Sequence, residues 1–260
     1  MSAGFSYAGN LVGGGAAPLV RKFLIGETCY QGQLLQTNLT GGTGGHVQIA
    51  DVASEAHEND LPVIGIAGGV VDASATYSST YFGDGSTYTT TQGTVATNGP
   101  AEVKVILTIP WVTLVKAPIY NAAFGTALTT LVETSGSAGG TVVTHANQAV
   151  TDIADDFATV YCRTGANKGI YRVVTTGATG SQTVTVPFPY AIAVGDTFVV
   201  ASCVLGLGGL GFPATANCID GNNAISSYYD VFYHDINLAE SGKEYAVFTF
   251  MPKACGPIAA

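Results

Sequence analysis

The sequence has few charged residues, and positive charges are the scarcest. Charged residues make up 10% of its 260 residues, against about 25% in an ordinary soluble domain. Nine Lys and Arg are scattered between Arg21 and Lys253, against eighteen Asp and Glu, which gives a net charge of −9. Because binding to a phosphate backbone needs clustered cations, we expect no nucleic-acid partner. With 47% hydrophobic residues, the chain must either use uncharged polar side chains for solubility or have much of its surface covered by a partner.

Long uninterrupted apolar runs are also lacking. The longest, such as GDTFVVASCVLGLGGLGF, are broken by Asp, Ser and Gly, well short of the roughly twenty residues of a membrane helix. The start of the chain has neither the basic n-region nor the compact apolar h-region of a signal peptide. We therefore expect no membrane partner and no Sec export.

Cysteines are few, and their spacing is not that of a disulfide framework. Cys29, Cys162, Cys203, Cys218 and Cys255 are an odd number with no CxxC pair. That pattern gives little support to a disulfide framework or a zinc site. We predict buried free thiols.

Catalytic motifs are missing as well. The sequence contains no GxSxG, HExxH, GKS or GKT, so it lacks the signatures of serine hydrolases, zinc proteases and P-loop proteins. His46, Asp51, Glu55 and His57 lie close in sequence, but their spacing does not put two imidazoles on one face, and we interpret them as solvated loop residues. Asp220, in CIDGNNA, is interpreted as a turn residue. We predict no enzyme activity, no cofactor and no metal, although a glycosidase could take its two carboxylates from anywhere in the chain.

What the sequence does contain is a succession of short β-type runs. They are rich in Val, Thr, Phe and Tyr and are separated by Gly, Asn, Pro or Ser, which predicts a mainly β fold. In AEVKVILTI, the apolar residues Val103, Val105, Leu107 and Ile109 recur with the period of a half-buried strand. We predict two antiparallel units, like β-barrels or β-sandwiches, preceded by an extended N-terminal arm.

Composition suggests boundaries for these units. Residues 1–20 contain five glycines and no sustained periodicity, so we interpret them as the arm. Residues 21–132 are predicted to be a first β domain and residues 151–260 a second. The polar, glycine-rich residues 133–150 are interpreted as a linker or long loop.

Aromatic residues supply the candidate interface. Tyrosine offers a large contact area with a polar tip and is enriched at protein interfaces. For the stretch TYSSTYFGDGSTY, packing within a sheet is an equally good interpretation, whereas the aromatics of the arm would anchor it on a neighbour by strand addition. The candidate interface residues are Phe5, Tyr7, Tyr77, Tyr81, Phe82 and Tyr88.

One succession of segments resembles a known family. A strand beginning at Gly32 to Leu35 is followed by Ala50 to Val52 and then by a strand at Pro62 to Ile66. This order, over roughly residues 22–119, resembles the small β proteins that decorate the capsids of tailed phages. The later stretch NKGIYRVVTTGATGSQTVTVPFPYAIAVGDTFVV is similar in style to β domains of phage structural proteins.

The resemblance implies a cement protein on the virion, at the capsid surface. Its partner would be the major capsid protein, and it would form a homo-oligomer, with a trimer favoured. Two other functions remain open at this point. One is a phage tail or fibre component that binds a receptor, and the other is a secreted carbohydrate-binding protein or glycosidase of the β-sandwich type.

Overall fold

The structure is a computed structural model that describes residues 4–11, 17–25, 31–38, 46–50, 63–71, 77–78, 101–121, 125–146, 158–213, 216–222 and 229–251. This part of the chain is built from strands without a helix, which confirms the predicted mainly β fold class. None of its elements is a helix of the length and hydrophobicity needed to cross a membrane.

The strands fall into three sheets. In chain order they are β1 (Ser6–Asn10), β2 (Val20–Ile25), β3 (Leu34–Asn38), β4 (His46–Ile49), β5 (Val63–Val71), β6 (Tyr77–Ser78), β7 (Ala101–Leu107), β8 (Thr113–Tyr120), β9 (Thr130–Val132), β10 (Val142–Thr144), β11 (Thr159–Cys162), β12 (Tyr171–Ala178), β13 (Ser181–Val184), β14 (Thr197–Ala201), β15 (Gly206–Leu210), β16 (Ile219–Asp220), β17 (Tyr229–Asn237) and β18 (Tyr245–Phe250).

Strands β2 to β7 form the first sheet, which we call the barrel. Its order is β3-β4-β2-β7-β5-β6, and β5 also pairs with β3, so that five strands close on themselves. The barrel is antiparallel apart from the parallel pair β2–β4. Val103 and Val105 are buried inside it, whereas Ile106 packs outward against the central core. The alternation predicted for β7 is therefore confirmed at Val103 and Val105, whereas Ile109, which we placed on the same face, lies beyond the strand and is exposed.

One glycine is required where two barrel strands pair. On Gly65 of β5, a Cβ atom would lie 2.1 Å from the carbonyl oxygen of Ile106 on β7. A side chain at this position would force the two backbones apart.

Strands β9 to β14 form a second sheet, which we call the inserted sheet. Its order is β10-β13-β12-β11-β14-β9. A single bridge between Glu133 and His145 links the ends of its two edge strands. Its separate core is lined by side chains such as Leu131, Val160 and Phe198.

The remaining strands form the central sheet, in the order β1-β8-β18-β17-β15, with β16 beside β8. The barrel lies in the chain between β1 and β8, and the inserted sheet lies between β8 and β15. The central sheet is thus assembled from three parts of the chain. Strand β1 precedes the barrel, β8 lies between the barrel and the inserted sheet, and β15 to β18 follow the inserted sheet. Its core also takes side chains from both of them, including Leu34 of the barrel and Val199 of the inserted sheet.

This arrangement differs from the predicted boundaries, and two segments show how. Residues 6–10, which we predicted to lie in an arm, pair with β8 of the same chain. Residues 133–146, in the predicted linker, contain β10 and the bridge from Ser137 to Ile192. In both places a polar or glycine-rich composition suggested a loop, but strand pairing with distant residues decides the structure.

Candidate interaction surface

A strained turn between β7 and β8 presents the one tryptophan of the sequence. Trp111 has a φ of 59°, a left-handed conformation that costs a bulky residue about 1–2 kcal/mol. The N–H groups of Val112 and Thr113 donate to the Ile109 carbonyl at 3.0 and 2.9 Å. The Ile109 N–H in turn donates to Thr113 Oγ1 at 3.0 Å. These bonds tie the turn together around Trp111.

The turn is also tied to two other strands of the central sheet. The Leu11 N–H, at the end of β1, donates to the Val112 carbonyl at 2.9 Å. The Trp111 N–H donates to the Phe250 carbonyl, at the end of β18, at 3.3 Å. Strain held by surrounding structure is a recurrent property of functional sites.

The indole lies over the outer face of the central sheet. Its centroid is 5.8 Å from that of Phe232 on β17. Val231 and Tyr233 are buried on the inner face, so Phe232 points outward by the alternation of a strand. On β15, Leu207 lies directly opposite Phe232. We call Trp111, Phe232 and Leu207 the Trp111 surface.

The Trp111 surface exposes large apolar groups. Trp111 is 43% exposed and Leu207 is 62% exposed. Next to Phe232, the ring of His234 has its centroid 5.0 Å away, and His234 Nε2 lies 3.2 Å from Thr249 Oγ1. Partial burial lowers the pKa of His234 below its ordinary value, which keeps the imidazole uncharged over a wider pH range. Exposed aromatic groups are typical of the centre of a protein interface.

The structure places the interface residues predicted from the sequence in different environments. Phe5 is 2% exposed and belongs to the central core, so it is a core residue of this chain and not an anchor for a neighbour. Tyr7 is half-buried in β1. Tyr77 begins the short strand β6. Tyr81, Phe82 and Tyr88 lie outside the described residues.

Sequence reasoning missed the Trp111 surface. The available signal was a lone tryptophan after Pro110, between two strand-like runs. Two features of this surface depend on tertiary structure and leave no local pattern in the sequence. They are the left-handed backbone of Trp111 and its contact with Phe232, more than a hundred residues away.

The cysteines that the structure describes are buried and reduced. Cys162, Cys203 and Cys218 are free thiols, as predicted. Burial raises the pKa of Cys162 to about 11, with the Asp196 carboxylate adding to the effect. Burial alone raises the pKa of Cys203 to about 12. Such thiols are poor nucleophiles. Cys29 and Cys255 lie outside the described residues.

Most of the acidic and histidine residues that we considered as metal ligands lie outside the described residues. Asp51, Glu55 and His57 lie outside them, and His46 begins β4. Within the described ranges, no three His, Cys, Asp or Glu side chains come close enough to hold a metal ion. Asp220, which we interpreted as a turn residue, ends strand β16, and its Oδ1 accepts a hydrogen bond from the Asn222 N–H at 3.0 Å in the turn that follows.

Comparisons with models of protein families, with curated proteins and with solved structures found no match for this chain.

Proposed function

We propose that the chain is a structural protein of a phage virion, a decoration or cement protein that binds the outside of the major capsid protein lattice and stabilises the head. On this proposal it has no catalytic role. Its partner is the major capsid protein, and it works at the capsid surface as a homo-oligomer.

Two features of the barrel support the proposal. The segments that resemble decoration proteins, Gly32 to Leu35 and Pro62 to Ile66, lead into β3 and β5. These strands pair directly, with Leu34 opposite Ile66. Segments that are distant in the sequence thus form one β unit, as the resemblance implies.

The observation that carries the proposal is the Trp111 surface. A strained turn holds a large aromatic side chain against the outer face of a sheet, where it remains substantially exposed. Tryptophan is the residue most enriched among interface hot spots, together with Tyr and Arg. Low charge also suits a protein whose faces are covered in a large assembly.

Co-sedimentation with capsid shells tests the proposal. The shells would be assembled from the major capsid protein of the genome that encodes this chain. Trp111→Gly removes the indole and relieves the backbone strain, and we expect it to weaken binding at least about thirtyfold, the effect of losing a hot spot worth about 2 kcal/mol. The matched control is Tyr190→Ser, which removes an exposed aromatic side chain of the inserted sheet and should bind like the wild type. Failure of the wild-type chain to sediment with shells would refute the proposal.

A second function is favoured by the same tryptophan. An exposed aromatic ring on a β-sheet face also suits stacking against a sugar ring, so a carbohydrate-binding protein is the second candidate. A glycan array probed with the wild type and with Trp111→Gly separates the two functions. Glycan binding that is lost in the variant, without binding to shells, would favour the second candidate.

A location on the tail instead of the head is tested by microscopy. Antibody labelling of virions should place the chain over the head. Label confined to the tail or fibres would assign it to the receptor-binding apparatus.

A further inference from the structure

Strand β15 lies at an edge of the central sheet. It pairs with β17 along its whole length, from Gly206 opposite Tyr233 to Leu210 opposite Tyr229. On its other side, no strand of the described part pairs with it. An edge strand directs alternate backbone N–H and C=O groups away from its neighbour, where they are available to a further strand.

Three of the features that usually prevent such pairing are missing from strand β15. Natural edge strands carry charges, prolines or bulges that block a further strand. The sequence of β15, GLGGL, has no charge and no proline, and its register with β17 runs without a bulge. Its outward side chain, Leu207, is the second most exposed of the large hydrophobic residues described.

The order of residues in β15 is complementary to itself. In an antiparallel pairing of two β15 strands about a two-fold axis at Gly208, all five residues of each strand find a partner. Leu207 then lies opposite Gly209 of the second copy, and Leu210 lies opposite its Gly206. Directly opposite residues point to the same face, so each leucine has the space left by a glycine. Since the strand is uncharged, the pairing brings no like charges together.

The pairing would also extend the Trp111 surface. Leu207 lies beside Phe232, which contacts Trp111. Joining two copies at β15 would place the two surfaces side by side across the joint, as one apolar strip on a ten-stranded sheet made of the five strands of each central sheet.

From this complementarity we infer that the chain forms a two-fold dimer by antiparallel pairing of β15 with β15 of a second copy. The symmetry is isologous, so that the same patch serves on both subunits. It differs from the trimer that the family resemblance implies. The inference does not rest on capsid binding.

The test is the mass of the full-length chain in solution, without capsids. Light scattering after size exclusion should give a dimer that dissociates on dilution. Leu207→Lys places a charge on the edge, which should raise the dimer dissociation constant at least about tenfold. The matched control is Val194→Lys, at a residue of the inserted sheet that is 66% exposed, and it should remain as dimeric as the wild type. A monomer at all concentrations, a trimer, or a well-folded Leu207→Lys chain that dimerises normally would overturn the inference.

Hydrogen exchange gives an independent measurement on the unmodified protein. Within residues 206–210, the amides that point away from β17 should exchange more slowly at high protein concentration than at low concentration, because dimerisation pairs the free edge. If exchange is independent of protein concentration, or slows only when capsid shells are added, the edge of β15 does not pair with a second copy of this chain.

Discussion

Arg163 and Glu244 form a buried ion pair that joins the inserted sheet to the central sheet. Arg163 follows β11 and Glu244 precedes β18, and Arg163 Nη2 lies 2.5 Å from Glu244 Oε1. The Arg163 Nε–H donates to the Leu238 carbonyl at 3.0 Å, and Nη1 donates to Thr130 Oγ1 at 3.3 Å. The Arg163 guanidinium thus contacts the segments next to β17 and β18 of the central sheet, and also β9 of the inserted sheet.

Breaking this pair should destabilise the protein strongly. Arg163→Met leaves a buried carboxylate without its partner, and we expect a loss of about 3–5 kcal/mol in the free energy of unfolding. The double variant Arg163→Met/Glu244→Leu removes both charges and should lose much less than the sum of the single variants. Denaturant unfolding of the three variants measures the coupling, and additive losses would show that the pair does not join the two units.

Phe5 should be needed for folding. Its ring meets that of Phe248 edge to face, with centroids 6.2 Å apart, and its N–H donates to the Gly32 carbonyl at 2.8 Å. Phe5→Ala should lower the free energy of unfolding by about 3–5 kcal/mol. The control is Ala8→Ser on the exposed side of the same strand, which should change it by less than about 0.5 kcal/mol. A near-neutral Phe5→Ala would restore the interpretation of this segment as an arm.

The left-handed turn predicts an unusual order of stability at position 111. Trp111→Ala and Trp111→Gly both remove the indole, but only glycine adopts a φ of 59° without strain. We expect the glycine variant to be more stable than the alanine variant by about 1 kcal/mol. Thermal unfolding compares them, and an alanine variant of equal or greater stability would argue against strain in the turn.

The buried thiols should be unreactive until the protein unfolds. In a Cys29→Ser/Cys255→Ser chain, only Cys162, Cys203 and Cys218 remain. Because burial raises the pKa values of these thiols, a thiol reagent should label the native protein slowly and all three thiols after denaturation. Rapid labelling of the native protein would show that one of them is accessible.

The same thiols predict how stability changes in alkali. In the unfolded chain they ionise near their ordinary pKa of 9.0, whereas the folded pKa values are about 11 for Cys162 and about 12 for Cys203. The folded state therefore holds more protons between these values, and stability falls as the pH rises through that range. Cys203→Ala should flatten the fall, and an unchanged pH profile would contradict the assignment.

Structural features that depend on neighbouring residues could be predicted from the sequence. Features that depend on contacts between distant residues could not. The alternation around Val103 and Val105 predicted a half-buried strand because side-chain direction in a strand follows local periodicity. Phe5 and Trp111 were misjudged or missed because their environments are made by Phe248, Phe250 and Phe232. These partners come from strands β17 and β18, more than a hundred residues away in the sequence, and no local pattern identifies them.

The unit boundaries were misplaced for a related reason. The central sheet is split by the barrel and by the inserted sheet, whereas the glycine-rich segments at residues 1–20 and 133–150 contain strands that pair within the structure. A division into consecutive segments could not represent three sheets nested in this way.

A cryo-electron microscopy map of capsids bearing this chain tests the central claim most directly. The account predicts density for the chain on the outer surface of the head, with Trp111 buried against the major capsid protein. A map of decorated particles with Trp111 facing solvent, or with no density on the head, would contradict it.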